Sequence, residues 1–250
     1  MMKRCVWLLT ALLLCLGLFA CGKREEIPPA ALTVLQDLGA EAPELLRDGA
    51  VSDNLVKDPA MTFTWDGGYA LLDDAGNLVR IKRTEEIRKL SADSVSKFVS
   101  LEELITYIEA HLVGPGYELV NSYDFSEDTL SLRYEKVLFP GALDRYDYVS
   151  VNIHKPQAEL ETFYRATSGF QPDSGKEVIT QEEAIAVANS LLEENEKITD
   201  VQLASVKAND FFGSTDGEGN LHLAYIISTE SSMVYVDAYT AQVIGGDLYK

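Results

Sequence analysis

At 250 residues, with 46% apolar side chains and no long polar tract, the chain is long enough to bury one or two hydrophobic cores. A net charge of −19 argues against nucleic acid as a partner and against electrostatic attachment to anionic lipid. Acidity of this kind also keeps a surface protein soluble without further function.

The first residues have a character of their own. Lys3 and Arg4 form a basic start, and 6–20 is an almost unbroken apolar run, too short and too early for an ordinary membrane span. It ends in Leu18-Phe19-Ala20-Cys21, followed by Gly22. This resembles the lipobox of bacterial lipoproteins. The resemblance implies a signal peptide over 1–20, cleavage before Cys21, and a diacylglyceryl group on its sulfur as the only membrane anchor. The expected address is then the outer, extracytoplasmic face of the bacterial cell membrane. An ordinary secretory signal with an incidental cysteine is the alternative, but basic start, apolar run and box stand in register for the lipobox. Cys5 and Cys15 would be lost with the signal, leaving a mature chain without a disulfide or a thiol nucleophile.

Residues 21–60 read as a lipidated tether and an N-terminal helix. Pro28-Pro29 opens a helix predicted over 30–38, with Pro in the first turn where its missing N–H costs little. Gly39 ends it, and a further helical turn is predicted at 43–47. Residues 61–98 read as a half-module: strands TFTW and YALL around Asp66-Gly67-Gly68, a second turn at 73–77, the strand LVRIK, and a charged stretch at 84–97 that is helix or linker. A first full module is predicted over 99–166. Ser100 and Glu103 are spaced as a capping box, and Leu101, Leu104, Ile105, Ile108 and Leu112 form one helical stripe. Gly114-Pro115-Gly116 stops that helix, and strands YELVNSYDF, TLSLRYEKVL, DYVSVNIH and LETFYR follow. The polar stretch 167–178 is the predicted linker. Over 179–250 the order repeats: a capping box from Thr180 and Glu183, a helix predicted over 180–195 with Ile185, Ala188 and Leu192 on its buried face, then DVQLASVKA, LHLAYIIST, MVYVDAY and a return through Gln242-Val243-Ile244. On this reading Val151-Asn152-Ile153 matches Val236-Asp237-Ala238, and Leu72-Asp73 matches Val236-Asp237.

The helix start ITQEEAIAVA and the strand–turn–strand VYVDAYTAQVI resemble the PepSY-type module, and the layout is similar to repeated-domain lipoproteins of the YcdB/YcdC kind. With TDVQL and a terminal AQVI it is also similar to the extracytoplasmic regulators YycI and YycH, which act on a sensor histidine kinase. The resemblance implies an α+β fold of tandem PepSY-like modules, each a helix packed on an antiparallel sheet. It implies a binding or inhibitory role outside the cytoplasm, with a peptidase or the outer domain of a sensor kinase as the protein partner, and no catalytic residues. The chain departs from the family at the turn glycine, which Ala241 replaces in the last copy and Pro156 in the middle one; only Gly76 keeps it. Glycine there would supply a positive φ.

No catalytic constellation stands out. His111, His154 and His222 are far apart, with no HExxH and no cysteine partner in the mature chain, so neither a metal nor another cofactor is expected. There is no GxSxG elbow. The loop 216–220 lacks the glycine of a calcium loop, because Leu221 stands at its sixth position. The Glu102-Glu103 and Glu182-Glu183 pairs are explained by capping and by the helix dipole. The preferred reading is therefore a non-enzymatic binding protein; a cell-envelope hydrolase is the reading of a different class. The alternation of the last strand places Val234, Val236 and Ala238 on one face and Tyr235, Asp237 and Tyr239 on the other. Those three are the candidate partner-binding patch, unless a second layer covers them.

Overall fold

A computed structural model describes residues 26–46, 51–84, 97–192, 196–213 and 219–248. The signal segment, Cys21 with its tether, Arg47, residues 85–96 and the 216–218 part of the calcium-like loop lie outside the described residues. Among the described residues, no helix is long and apolar enough to cross a membrane.

Helix α1 (Pro29–Asp37) starts on Pro28 as N-cap, with Pro29 in its first turn. An antiparallel meander follows: β2 (Met61–Trp65), β3 (Gly68–Leu72) and β4 (Leu78–Arg83). The helical turn expected at 43–47 is instead a short strand, β1 (Glu44–Leu45), which pairs with Thr64 and Phe63. A neighbouring strand satisfies backbone groups that a lone turn would leave to water. The irregular segment 51–60 is held down by Asp53. Its carboxylate accepts from Tyr69 Oη (2.5 Å), Arg80 Nε (2.9 Å) and the Leu55 and Val56 N–H groups (2.8 and 3.2 Å).

Helix α2 (Leu101–Ile108) runs on into a π-helical turn (Glu109–Val113) that ends at Gly114, φ 78°. Ser100 Oγ accepts from the Glu103 N–H at 3.1 Å, but the Glu103 carboxylate accepts from Val99 N–H, one residue outside the predicted box. Next come β5 (Tyr117–Asp124), β6 (Thr129–Phe139), β7 (Ala142–His154) and β8 (Glu159–Ala166). Helix α3 (Gln181–Asn189) carries the complete Thr180–Glu183 capping box. It ends before the predicted 195: the Ser190 hydroxyl donates back to the Val187 carbonyl (2.7 Å), an alternative to continuing the ladder. Leu192 is thus outside the helix and only half-buried; Ile185, within the helix, is half-buried too. The last strands are β9 (Asp200–Lys207), β10 (Leu221–Ser228), β11 (Ser232–Asp237) and β12 (Val243–Leu248).

The protein is α+β and dominated by one large sheet. The twelve strands among the described residues are all connected, in the order β1-β2-β3-β4-β8-β7-β9-β10-β11-β12, with β6 and then β5 branching from β7. The pairings within 99–166 and within 179–250 are all antiparallel, and the sheet becomes mixed where β7 joins them. That strand starts at Ala142, before the predicted 147, and its extra residues Ala142 and Leu143 pair in parallel with Leu203 and Ala204 of β9. Strand β6 lines one side of β7 from end to end, so the other side is shared: β8 takes Tyr148 to His154 and β9 takes Ala142 and Leu143. The junction is pinned by Asp144, fully buried, which accepts from Ser205 Oγ (2.6 Å), Tyr146 N–H (3.0 Å) and Ser168 Oγ.

Among the described residues, three apolar clusters lie on this sheet. Leu35 of α1 and Leu104 and Ile108 of α2 pack with Phe63, Leu72, Val151 and Phe163 in the largest. Ala184 and Ala188 of α3 pack with Leu223, Ile227, Val234 and Val236. Ala204, Val206, Ala224, Ile226 and Ile244 form the third.

The hairpins β3–β4, β7–β8 and β11–β12 share a pattern at the turn, with one extra residue on the return strand: Val79, Glu161 and Ile244. Each has a register shift just before a fully buried residue at the turn, which is Leu72, Ile153 and Val236; in β7–β8 one further pair, His154 with Glu159, follows it. These pair with Leu78, Leu160 and Val243, and two residues before each partner stands a residue at positive φ: Gly76 (81°), Ala158 (49°) and Ala241 (55°). The predicted match is corrected by two residues in the middle hairpin, where Ile153 and not Val151 holds the place that Val236 holds in the last. Ala158, not Pro156, then takes the glycine position, and both alanines adopt the left-handed conformation themselves.

Candidate functional site

The predicted patch of Tyr235, Asp237 and Tyr239 does not form a single open face. Strand β11 ends at Asp237, which is 6% exposed. Its carboxylate accepts from the N–H groups of Tyr239 and Thr240 (both 2.9 Å) and from Thr240 Oγ1 (3.0 Å), folding the chain into a turn. The period of two stops there, although it holds up to Val236: Met233 and Tyr235 lie on one face and Val234 and Val236 on the other, the extra residue of the register shift being Ile244 on β12. Tyr235 is half-buried against the cluster of Ala224 and Ile226, whereas Tyr239 is half-buried against the cluster of Val234 and Val236, with the Lys176 ammonium 5.7 Å from its ring centre. Val234, Val236 and Ala238 are fully buried, as expected.

Asp237 also meets His222, whose Nδ1 lies 3.1 Å from Oδ2. Burial pushes the Asp237 carboxyl up, but the turn N–H groups, His222 and Thr240 outweigh it and hold it below the usual carboxylate range. His222 Nε2 is buried with no hydrogen-bond partner among the described residues. The three histidines are not brought together, and no group of three or more His, Cys, Asp or Glu able to hold a metal occurs among the described residues.

Two shallow pockets, of about 380 and 330 Å³, meet at Asp73, Arg165 and Thr167. Their polar groups are largely committed to the fold. Asp73 Oδ1 accepts from the Ala75 and Asn77 N–H groups, and Arg165 Nη2 donates to the Leu112 and Val113 carbonyls at the end of the π turn.

The free sheet edges differ sharply, and it is here that the structure offers something to a partner. Edge β1 is two residues long. Edge β12 is sealed by the loop after β9. The Asn209 N–H donates to the Ile244 carbonyl (2.9 Å), and its amide side chain bonds both the Gly246 carbonyl (2.9 Å) and the Gly246 N–H (3.0 Å). The Phe212 ring lies 2.4 Å from where a Cβ on Gly246 would be, so only glycine permits this cover. Edge β5 is eight residues long and pairs with β6 alone. Every residue from Glu118 to Asp124 is exposed. Long open edges of this kind are templates for further strands.

The ladder tells which backbone groups are on offer. Val137 N–H donates to the Gly116 carbonyl, so Gly116 and Glu118 face β6 and the backbone groups of Tyr117 and Leu119 face outward. Past the register shift at Val120, Phe125 N–H donates to the Thr129 carbonyl, which turns Ser122 and Asp124 outward. The sequence contained this strand, but its openness is set by where β6 and β7 go. The one local hint is YELVNSYDF itself, whose Asn121-Ser122 interrupts any apolar alternation.

No protein-family model matches the chain, and no match is found among the curated proteins compared with it. Among solved structures it is similar to the Bacillus megaterium YpeB C-terminal domain, at 13% identity and a TM-score of 0.49, over 92% of this chain and 100% of that one.

Proposed function

We propose that this protein is a membrane-anchored, extracytoplasmic binding protein of tandem PepSY-like modules, held by a lipid on Cys21, and that it restrains a peptidase or another envelope protein by taking up an extended segment of it on β5. The supporting observation is the contrast between edges: β12 is closed by Asn209 and Phe212, while β5 keeps outward backbone groups at Tyr117, Leu119, Ser122 and Asp124. Strand addition uses such groups for affinity and alternate side chains for selectivity. The recurring bulge and positive-φ position in the three hairpins support the modular reading. Photocrosslinkers placed at Val120 and at Asn209 of the full chain in intact cells test it. A single identified envelope protein captured from Val120 and not from Asn209 is the expected result; equal or no capture from both removes β5 from consideration. Cys21→Ala should leave uncleaved precursor or released protein. If Cys21→Ala protein remains in the membrane with its signal removed, the anchor lies elsewhere.

A further inference from the structure

The open edge carries charge of one sign. Glu118, Glu127 and Asp128 are exposed and have no ion-pair partner among the described residues. The nearby cations are already engaged: Arg133 with Glu135 (2.8 Å), Lys136 with Asp147 (3.1 Å) and Lys155 with Asp124 (2.8 Å). Along the same edge Leu119, Val120, Tyr123 and Phe125 are 50%, 38%, 49% and 69% exposed. Four exposed apolar side chains, interspersed with Asn121, Ser122 and Asp124, are thus bracketed by unpaired carboxylates at both ends, Glu118 at one and Glu127 with Asp128 at the other.

We propose that the strand added to β5 is an extended, apolar, β-branched segment of a partner protein with basic side chains at both ends, one set meeting Glu118 and the other meeting Glu127 and Asp128. This rests on the binding role proposed for β5 and adds the chemistry of the occupant. β-Branched residues fit the pleated, half-buried position beside Leu119 and Tyr123. Complementary charge speeds encounter and rejects wrong partners, since like charges face to face are costly. A second copy of this chain is disfavoured on the same ground. Two β5 strands would bring Glu118, Asp124, Glu127 and Asp128 of one copy against those of the other.

The test uses the full chain in phosphatidylcholine vesicles, with labelled peptides of alternating Val and Thr carrying either Lys or Glu at both ends, read by fluorescence anisotropy. A third peptide keeps the Lys ends but has Pro within the Val-Thr run, which forbids pairing and isolates nonspecific charge attraction. The Lys-ended peptide should bind at least about tenfold more tightly than the other two, and its advantage should shrink in high salt. Leu119→Pro removes an outward N–H without breaking a bond to β6, and should abolish that binding. The exposed triple change Glu118→Lys, Glu127→Lys and Asp128→Lys should reverse the preference toward the Glu-ended peptide, which keeps the test decisive if Leu119→Pro does not fold. Equal binding of Lys- and Glu-ended peptides, both lost in Leu119→Pro, overturns the charge inference and leaves the edge reading standing. So does a Lys-ended peptide that fails to bind while Val120 still crosslinks a partner. Binding of the Lys-ended peptide that survives Leu119→Pro overturns both. A concentration-dependent dimer in sedimentation that Leu119→Pro abolishes makes a second copy the occupant and overturns the proposal.

Discussion

Asp53 ties the irregular segment 51–60 to the sheet. Its side chain is 2% exposed and that of Arg80 is 10% exposed. Burial pushes the Asp53 carboxyl up, yet the Tyr69 hydroxyl, the Leu55 N–H and Arg80 outweigh burial and bring it down to about 2 from 3.8, while Tyr69 is pushed up to about 12. The folded value lies below the unfolded one. The stabilisation is therefore present above pH 3.8 and is lost as pH falls toward about 2, a contribution of roughly 2 kcal/mol. Urea midpoints measured down the acid range should fall over that window in the wild type and fall less in Asp53→Asn. At neutral pH the same substitution should cost about 3–5 kcal/mol, because it leaves Arg80 buried without its counter-charge. None of this was legible in the sequence. Tyr69 and Arg80 stand 16 and 27 residues from Asp53, and no local pattern joins an aspartate in a coil to two strands of a meander. Asp237 shows the same limit differently. Strand alternation placed it outward with Tyr235 and Tyr239, but its carboxylate ends the strand on which that alternation depends.

At the scale of elements the reading from sequence was stronger where a periodic pattern met a cap. Thr180 and Glu183 cap α3 as their spacing predicts, and Thr180→Ala should lower stability by about 1 kcal/mol in thermal or urea unfolding. The helical stripe of α2 does bury Leu104 and Ile108 completely. Leu104→Ala should then cost about 2–5 kcal/mol, whereas Leu192→Ala, beyond the end of α3 and half-buried, should cost about 1 kcal/mol. An equal cost for the two would place Leu192 in the core after all. Helix and strand ends were read less well, because they are set by side-chain-to-backbone bonds such as Ser190 to Val187 and by pairing partners such as the one that draws Glu44 and Leu45 into β1. The closed and open edges belong to this scale too. Gly246→Val would drive a side chain into Phe212 and should open β12, detectable as faster exchange of the Asn209 amide and of the amide at position 246 and a stronger tendency to aggregate.

For the molecule as a whole the deciding feature is β7, which two groups of strands share. Repeated helix–strand order suggests separable halves, and only register pairing shows that β9 leans on the first two residues of β7. Replacing Asp144 with Ala leaves Ser205 and Ser168 without their buried acceptor and should loosen this junction first. Tyrosine fluorescence and amide exchange would then report different unfolding midpoints for the two ends of the sheet, where the wild type gives one. The same sharing governs what happens when the chain is cut. The connection between β8 and α3 has no regular structure and is rich in exposed polar residues, the kind of segment proteases nick. A cut there severs the backbone but not the sheet, since Ala142 and Leu143 still hold Leu203 and Ala204 from the other piece. The two fragments should therefore elute together after nicking, and made as separate chains they should find each other and rebuild the fold, a built-in split protein whose complementation depends on one strand.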